Sequence, residues 1–155
     1  MTALNDFKRL SGTLFVDGAW TASASTAQLD VIDPATEDRI GHIADATDAE
    51  VDQAIAVANA ARKVWCAQDT RSRAVVLHDI AAAIRRDKAL YAEHLTREEG
   101  KPFKESVDEI SWCATAIDYY AEVARHETGR LAGNTVPGQF HFAIRRRKQT
   151  AQDFD

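Results

Sequence analysis

The first forty residues read as strands, short apolar runs set apart by turn pairs, with period-two alternation around Leu29 and Val31. In LFVDGAW, Asp17-Gly18 separates Phe15-Val16 from Trp20. An Asp-Gly pair between short apolar runs predicts a tight hairpin, because glycine accepts positive φ without steric cost. In QLDVIDPATEDRIGHI, Leu29 and Val31 alternate with polar neighbours as far as Asp33-Pro34, a turn pair, and Ile40 to Ile43 supplies the returning strand. The period then lengthens. Thr47 and Glu50 have capping-box spacing, and Val51, Ala54, Ile55, Ala58, Ala61 and Trp65 share one face of a helix. A second helix is expected from about Thr70 to Glu99, with a stripe of Leu77, Ile80, Ala81, Ile84, Tyr91 and Leu95. Gly100 suits its C-cap, and Pro102 blocks continuation. A third helix is expected from about Phe103 to His126, striped by Ile110, Cys113, Ala114, Ile117, Tyr120, Ala121 and Ala124 and closed by Gly129. In QFHFAIR, Phe140, Phe142 and Ile144 alternate with His141, Ala143 and Arg145, which predicts one more strand. The pattern predicts an α/β fold: N-terminal strands and hairpins, then three amphipathic helices.

Composition narrows the class. At 155 residues and 45% hydrophobic, the chain suits one domain with a core. A net charge of -5 argues against general nucleic-acid binding. No apolar run approaches a membrane span or a signal peptide. Cys66 and Cys113 form no Cys-x-x-Cys motif, so they read as reduced thiols and the expected compartment is the cytoplasm.

The stretch REEGKPFKES sets Lys101 after Gly100, between two acidic helical segments. A phosphate loop needs several backbone N–H groups converging after a strand, usually from G-x-x-x-x-G-K-[ST]. A single glycine, a helix before it and Pro102 after it instead predict a helix end and a turn. Cys113, on the apolar stripe, reads as a buried small hydrophobe, and Cys66 reads the same way at the end of the first helix. His42, His78, His94, His126 and His141 form no metal or triad pattern. Glu98-Glu99 and Asp108-Glu109 read as solvated helix surface, Arg145 to Lys148 as a solvated basic run, and Trp20, Trp65 and Trp112 as packing residues.

Taken in order, LFVDGAW, VIDPATEDRIGHIADATDAEVDQAIAVANAARKVW, TRSRAVVLHDIAAAIRRDKALYAEHLTREEGKP and the Tyr119-Tyr120 segment resemble the N-terminal part of the aldehyde dehydrogenase superfamily. PGQFHFAIRR is similar to the strand leading into that family's dinucleotide-binding core. Asp33 stands where Asn is common, and Glu37 where Gly is common. The resemblance makes Gly-Lys-Pro a turn between helices, with Lys101 structural. It also offers the Ile32 carbonyl and Glu109 as loose matches to a monovalent-cation site of some members.

The resemblance implies NAD(P)-dependent oxidation of an aldehyde to a carboxylic acid, by a cysteine nucleophile through a thiohemiacetal and a thioester. The family's oxyanion Asn, cofactor-binding lysine and glutamate, Gly-rich turn, base and nucleophile have no counterpart in these residues. No catalytic, cofactor-binding or metal residue is therefore assigned, and this chain alone is expected to bind neither NAD nor NADP. Residues 1–146 read as a partial N-terminal dehydrogenase-like domain. Residues 147–155 read as a divergent polar tail, from a frameshifted or prematurely ended frame. Two other readings stay open: an assembly fragment that pairs with a dehydrogenase subunit or a second copy, and a small helical protein whose basic tail contacts nucleic acid.

Overall fold

Asp17 and Gly18 both take left-handed backbone, at φ 54° and 75°, and turn β1 (Thr13–Val16) back into β2 (Ala19–Ala22). Phe15 and Trp20 face each other across this hairpin with ring centroids 5.0 Å apart. The chain is described from a computed structural model, which covers residues 11–126, 129–133 and 136–143. A second antiparallel pair joins β3 (Gln28–Ile32) to β4 (Arg39–Ala44), with a register irregularity at Val31/Ile32. Its turn is organised by Asp33. The carboxylate accepts from the Ala35 N–H at 2.9 Å, and the Asp33 carbonyl accepts from the Glu37 N–H at 2.8 Å. Glu37 sits at φ 63°, a conformation that suits glycine.

Helix α1 (Asp48–Ala67) opens on the predicted capping box: Thr47 accepts from the Glu50 N–H, and the Glu50 carboxylate accepts from the Thr47 N–H. No residue of α1 is buried, so its stripe of Val51, Ile55 and Trp65 finds no sealed partner among the described residues. Helix α2 (Thr70–Arg86) is capped by the Asp69 side chain on the Ser72 N–H. The expected single helix over 70–99 breaks at Asp87, which leaves helical geometry at φ −101°, ψ 18°; α3 (Lys88–Glu99) follows. Among the described residues, four helices therefore replace the three expected. A straight helix of that span would run about 45 Å at 1.5 Å per residue. The break lets both halves pack on α4 (Phe103–His126), which makes extensive contact with α2 and α3 while those two barely touch each other.

The core of this unit is made of small residues. Ala74 and Ala81 on α2, Ala92 on α3, and Ser106, Ala114 and Ala121 on α4 are buried. Thr96 and Ser106 share a hydroxyl–hydroxyl hydrogen bond of 2.8 Å across α3 and α4. The larger stripe residues sit at the margins. Ile80, Tyr91 and Tyr120 are exposed, and so is Cys113, which corrects its reading as a buried hydrophobe. Helical periodicity identifies a face but not its depth, and where backbones approach closely the smallest residues take the seam. Trp112 is 75% exposed and does not pack as expected, Trp20 packs on Phe15 while staying half-open, and Trp65 is half-buried.

Within the described residues, the last strand begins at His141 rather than at Phe140. β6 (His141–Ala143) pairs with β5 (Arg130–Ala132) in a two-stranded ribbon, with Leu131 opposite Phe142. Ile144, the basic run Arg145 to Lys148 and the tail 147–155 lie outside the described residues.

The small-residue seam gives a sharp contrast between neighbours. Ala121→Leu should lose about 1–3 kcal/mol by overpacking the seam. Tyr120→Ala, one position away on the open face, should stay within about 0.5 kcal/mol of the parent. Urea unfolding followed by circular dichroism measures both.

Candidate functional site

Gly100 ends α3 in left-handed backbone at φ 75°, its N–H bonded to the Thr96 carbonyl. A Cβ at this position would stand 2.7 Å from Pro34 Cγ, so the helix end and the Asp33-Pro34 turn meet at a point only glycine fits. Asp33 is 8% exposed, and its second carboxylate oxygen lies 3.7 Å from Arg97 Nε. Lys101 follows and its ammonium reaches two carboxylates, Glu99 at 3.0 Å and Glu109 in a short contact. Those bonds, Glu109 first, raise its pKa above the ordinary lysine value. The ammonium is a charged clamp between the end of α3 and the second turn of α4, which agrees with a structural Lys101. Glu99 and Glu109, expected as solvated surface, are the acids that hold it. Glu109 already faces this cation, and Ile32, the other loose cation match, is exposed on β3.

The other predicted residues are dispersed. His42 lies on β4 beside a small cleft of about 230 Å³ shared with Ser11 and Arg39. His94 is on α3, His126 ends α4 and His141 opens β6. Cys66 is half-buried on α1 and Cys113 lies exposed on α4. Among the described residues, no three His, Cys, Asp or Glu side chains are placed to hold a metal ion. His78 is the exception to the dispersal: it meets Asp118 and Glu122 across the α2–α4 contact. No single stretch of sequence announces that cluster. Its signal is the i, i+4 spacing of the two acids on one helix face.

A larger cleft, about 570 Å³, opens between the first hairpin and α1, lined by Leu14, Thr21, Ser23, Ala24, Glu50 and Gln53 among others. Asp17 and Glu50 are its charged residues, and Glu50 is fully engaged. It accepts from the Ala24 N–H at 2.8 Å, Ser23 Oγ at 3.0 Å, and the Thr47 N–H and hydroxyl at 2.8 and 2.9 Å. The backbone bonds from Thr47 and Ala24 lead in lowering its pKa to about 2.

A dinucleotide pyrophosphate needs free N–H groups at a helix N-terminus, with positive potential there. Each helix start here carries an acid instead: Glu50 in α1, Asp69 at α2, Asp87 at α3 and Glu105 in the first turn of α4. With an acid at each of these starts, the described residues do not fit a dinucleotide.

The sequence profile of the aldehyde dehydrogenase family matches residues 20–148. The chain belongs to the aldehyde dehydrogenase family. It is 31% identical over 135 residues to the NADP(+)-dependent succinate-semialdehyde dehydrogenase of Escherichia coli, covering 87% of this chain and 27% of that enzyme. Among solved structures, E. coli lactaldehyde dehydrogenase superposes with a TM-score of 0.76 at 31% identity, over 83% of this chain and 27% of that one. Betaine aldehyde dehydrogenase from Staphylococcus aureus, solved with NAD+, gives 0.78 at 25% identity, over 87% and 27%. The chain thus spans about a quarter of each of these relatives. Among the described residues, no helix of this aldehyde dehydrogenase segment is long and apolar enough to cross a membrane.

Two predictions follow from the Gly100 junction and the Glu50 site. Gly100→Ala should lose about 1–2 kcal/mol or more through left-handed strain and the Pro34 contact, whereas Glu37→Gly should gain up to about 1 kcal/mol by relieving strain of the same kind. Chemical denaturation of both variants against the parent checks the opposite signs. Glu50 has a depressed folded pKa, so its contribution is present above the unfolded value of 4.5 and is lost as pH falls toward about 2. The parent's thermal midpoint should therefore drop more steeply through that window than that of Glu50→Gln, as read by circular dichroism.

Proposed function

We propose that residues 1–146 form the N-terminal portion of an aldehyde dehydrogenase coenzyme-binding domain and are inactive alone, with 147–155 a divergent tail. The observation that carries this reading is extent. The family match runs over residues 20–148, while the 135 residues aligned with the E. coli succinate-semialdehyde dehydrogenase cover 27% of it. In the intact family the reaction is oxidation of an aldehyde to a carboxylic acid with NAD or NADP. It needs a cysteine nucleophile, a base and a cofactor cradle. Cys113 lies exposed on a helix whose neighbouring groups serve packing and ion pairs, and acids occupy the helix starts. These features support assigning the chain structural work within a larger assembly.

The exposed apolar residues favour a partner over an isolated existence. Leu131, Phe140 and Phe142 on or beside the β5–β6 ribbon are exposed, as are Val51, Ile55 and Val64 on α1. Burying one Phe side chain contributes roughly 1.5–3 kcal/mol, a large part of a small domain's net stability. Among the described residues, the two-stranded ribbon also leaves both outer edges open to strand addition. The partner in this reading is a dehydrogenase subunit or a second copy.

The test has two arms. The purified chain, given NAD or NADP and a panel of aliphatic and aromatic aldehydes, should form no NADH or NADPH above background. Turnover that survives repurification and is lost in Cys66→Ala or Cys113→Ala would overturn the inactivity. Sedimentation over a wide concentration range should show association weakened by Phe142→Lys. A monomer throughout, with one sharp unfolding transition, would remove the physical basis for assembly.

A further inference from the structure

On α2, His78 turns each ring nitrogen to a different carboxylate of α4. Nδ1 lies 2.6 Å from Asp118 Oδ1, and Nε2 lies 2.8 Å from Glu122 Oε1. An ionised carboxylate only accepts, so each contact requires an N–H on the ring. Neutral imidazole carries one N–H, and the imidazolium carries two. The geometry therefore demands a doubly protonated ring. The remaining partners keep the acids ionised. Arg85, also on α2, reaches Asp118 Oδ2 at 2.5 Å, and Arg125 on α4 reaches Glu122 at 3.3 Å. Helix α3 also packs on α4, but its Arg97 turns away from this cluster to Asp33. The side chains of His78, Asp118 and Glu122 are 39%, 30% and 45% exposed, so solvent protons reach all three.

We propose that His78 is a proton-dependent clamp between α2 and α4: the imidazolium bridges Asp118 and Glu122, and loss of one proton turns a bond into a lone-pair repulsion and releases one carboxylate. The clamp sits on the most extensive helix contact of the fold, the one that buries Ala74, Ala81, Ala114 and Ala121. Its release loosens that contact.

Linkage gives the pH window. The bonds to Asp118, then Glu122, raise the His78 pKa above 6.5. Its stabilisation is thus complete below about 6.5 and is lost as pH rises through the raised folded value. Asp118 and Glu122 have depressed pKa values, Asp118 through His78 and then Arg85, and Glu122 mainly through His78. Their stabilisation holds above the ordinary values of 3.8 and 4.5 and is lost as pH falls through the depressed ones. The clamp is complete between about pH 5 and 6.5.

Nitrogen-15 NMR of the full chain tests the clamp directly. Both ring nitrogens of His78 should be protonated at about pH 6, with a titration midpoint above the free-histidine value of about 6.5. Glu122→Gln should lower that midpoint by on the order of 0.5–1 unit. The thermal midpoint of the parent should fall from about pH 6 to 8.5 more than that of His78→Gln. A His78 midpoint at or below the free value would overturn the clamp, because the ring would then gain nothing from its two acids. An unshifted midpoint in Glu122→Gln, or parallel pH profiles of parent and His78→Gln, would do the same. The titration of the parent decides the matter even if a variant fails to fold.

Discussion

Close approach of α2 and α3 to α4 is the constraint on which the rest depends. Ser106, Ala114 and Ala121 are sealed from solvent along one side of α4, and Ala74, Ala81 and Ala92 are sealed on the helices that contact it. Side chains this short let helix backbones come near the lower end of the usual 8–10 Å interaxial range. Cohesion then comes from many backbone and methyl contacts rather than from a few large side chains. The arrangement accounts for the break at Asp87. Two short helices can each lie along α4, whereas one helix of that span would leave it before its end. It also accounts for Ser106, whose hydroxyl is buried at no hydrogen-bonding loss because Thr96 meets it.

A seam of small residues pushes larger apolar side chains to its rim. Ile80, Tyr91, Trp112, Tyr119 and Val123 are exposed, and α1 buries nothing. In proteins most helical stability comes from tertiary packing of an amphipathic face, and α1 finds little of it. α1 is instead fixed at one end, where Glu50 gathers the Thr47 cap and the Ser23-Ala24 segment. The fold therefore has two grades of order. The α2–α3–α4 unit closes on itself, while α1 and the β5–β6 ribbon present apolar side chains outward. That division is the physical basis of the proposed partner, because α1 and the β5–β6 ribbon are the elements with apolar surface left to cover.

Local chemistry was legible in the sequence, and depth was not. Asp17-Gly18, the Thr47–Glu50 box, Gly100 and the bounds of α4 rest on interactions within a few residues, so spacing and residue type are enough to place them. The core misled because periodicity cannot separate a sealed seam from an open flank. Cys113 and Ala114 are adjacent on the same stripe, yet Ala114 is buried and Cys113 is exposed. The break at Asp87 has no local signal either, since an aspartate within a helical run is unremarkable until α4 is there to pack against. His78 meets its acids from 40 and 44 residues away, and only the tertiary contact of α2 with α4 joins them.

Charge placement completes the argument about what these residues are for. The carboxylates of Glu50 and Asp69 answer backbone N–H groups at helix starts, Glu99 and Glu109 answer Lys101, and Asp118 and Glu122 answer His78, Arg85 and Arg125. Each of these charges is used up in joining one element to itself or to its neighbour. A site that binds an anionic ligand needs the opposite arrangement, with donors held open and their positive potential unanswered. At the starts of α1 and α2, Glu50 and Asp69 occupy backbone N–H groups that a phosphate would need.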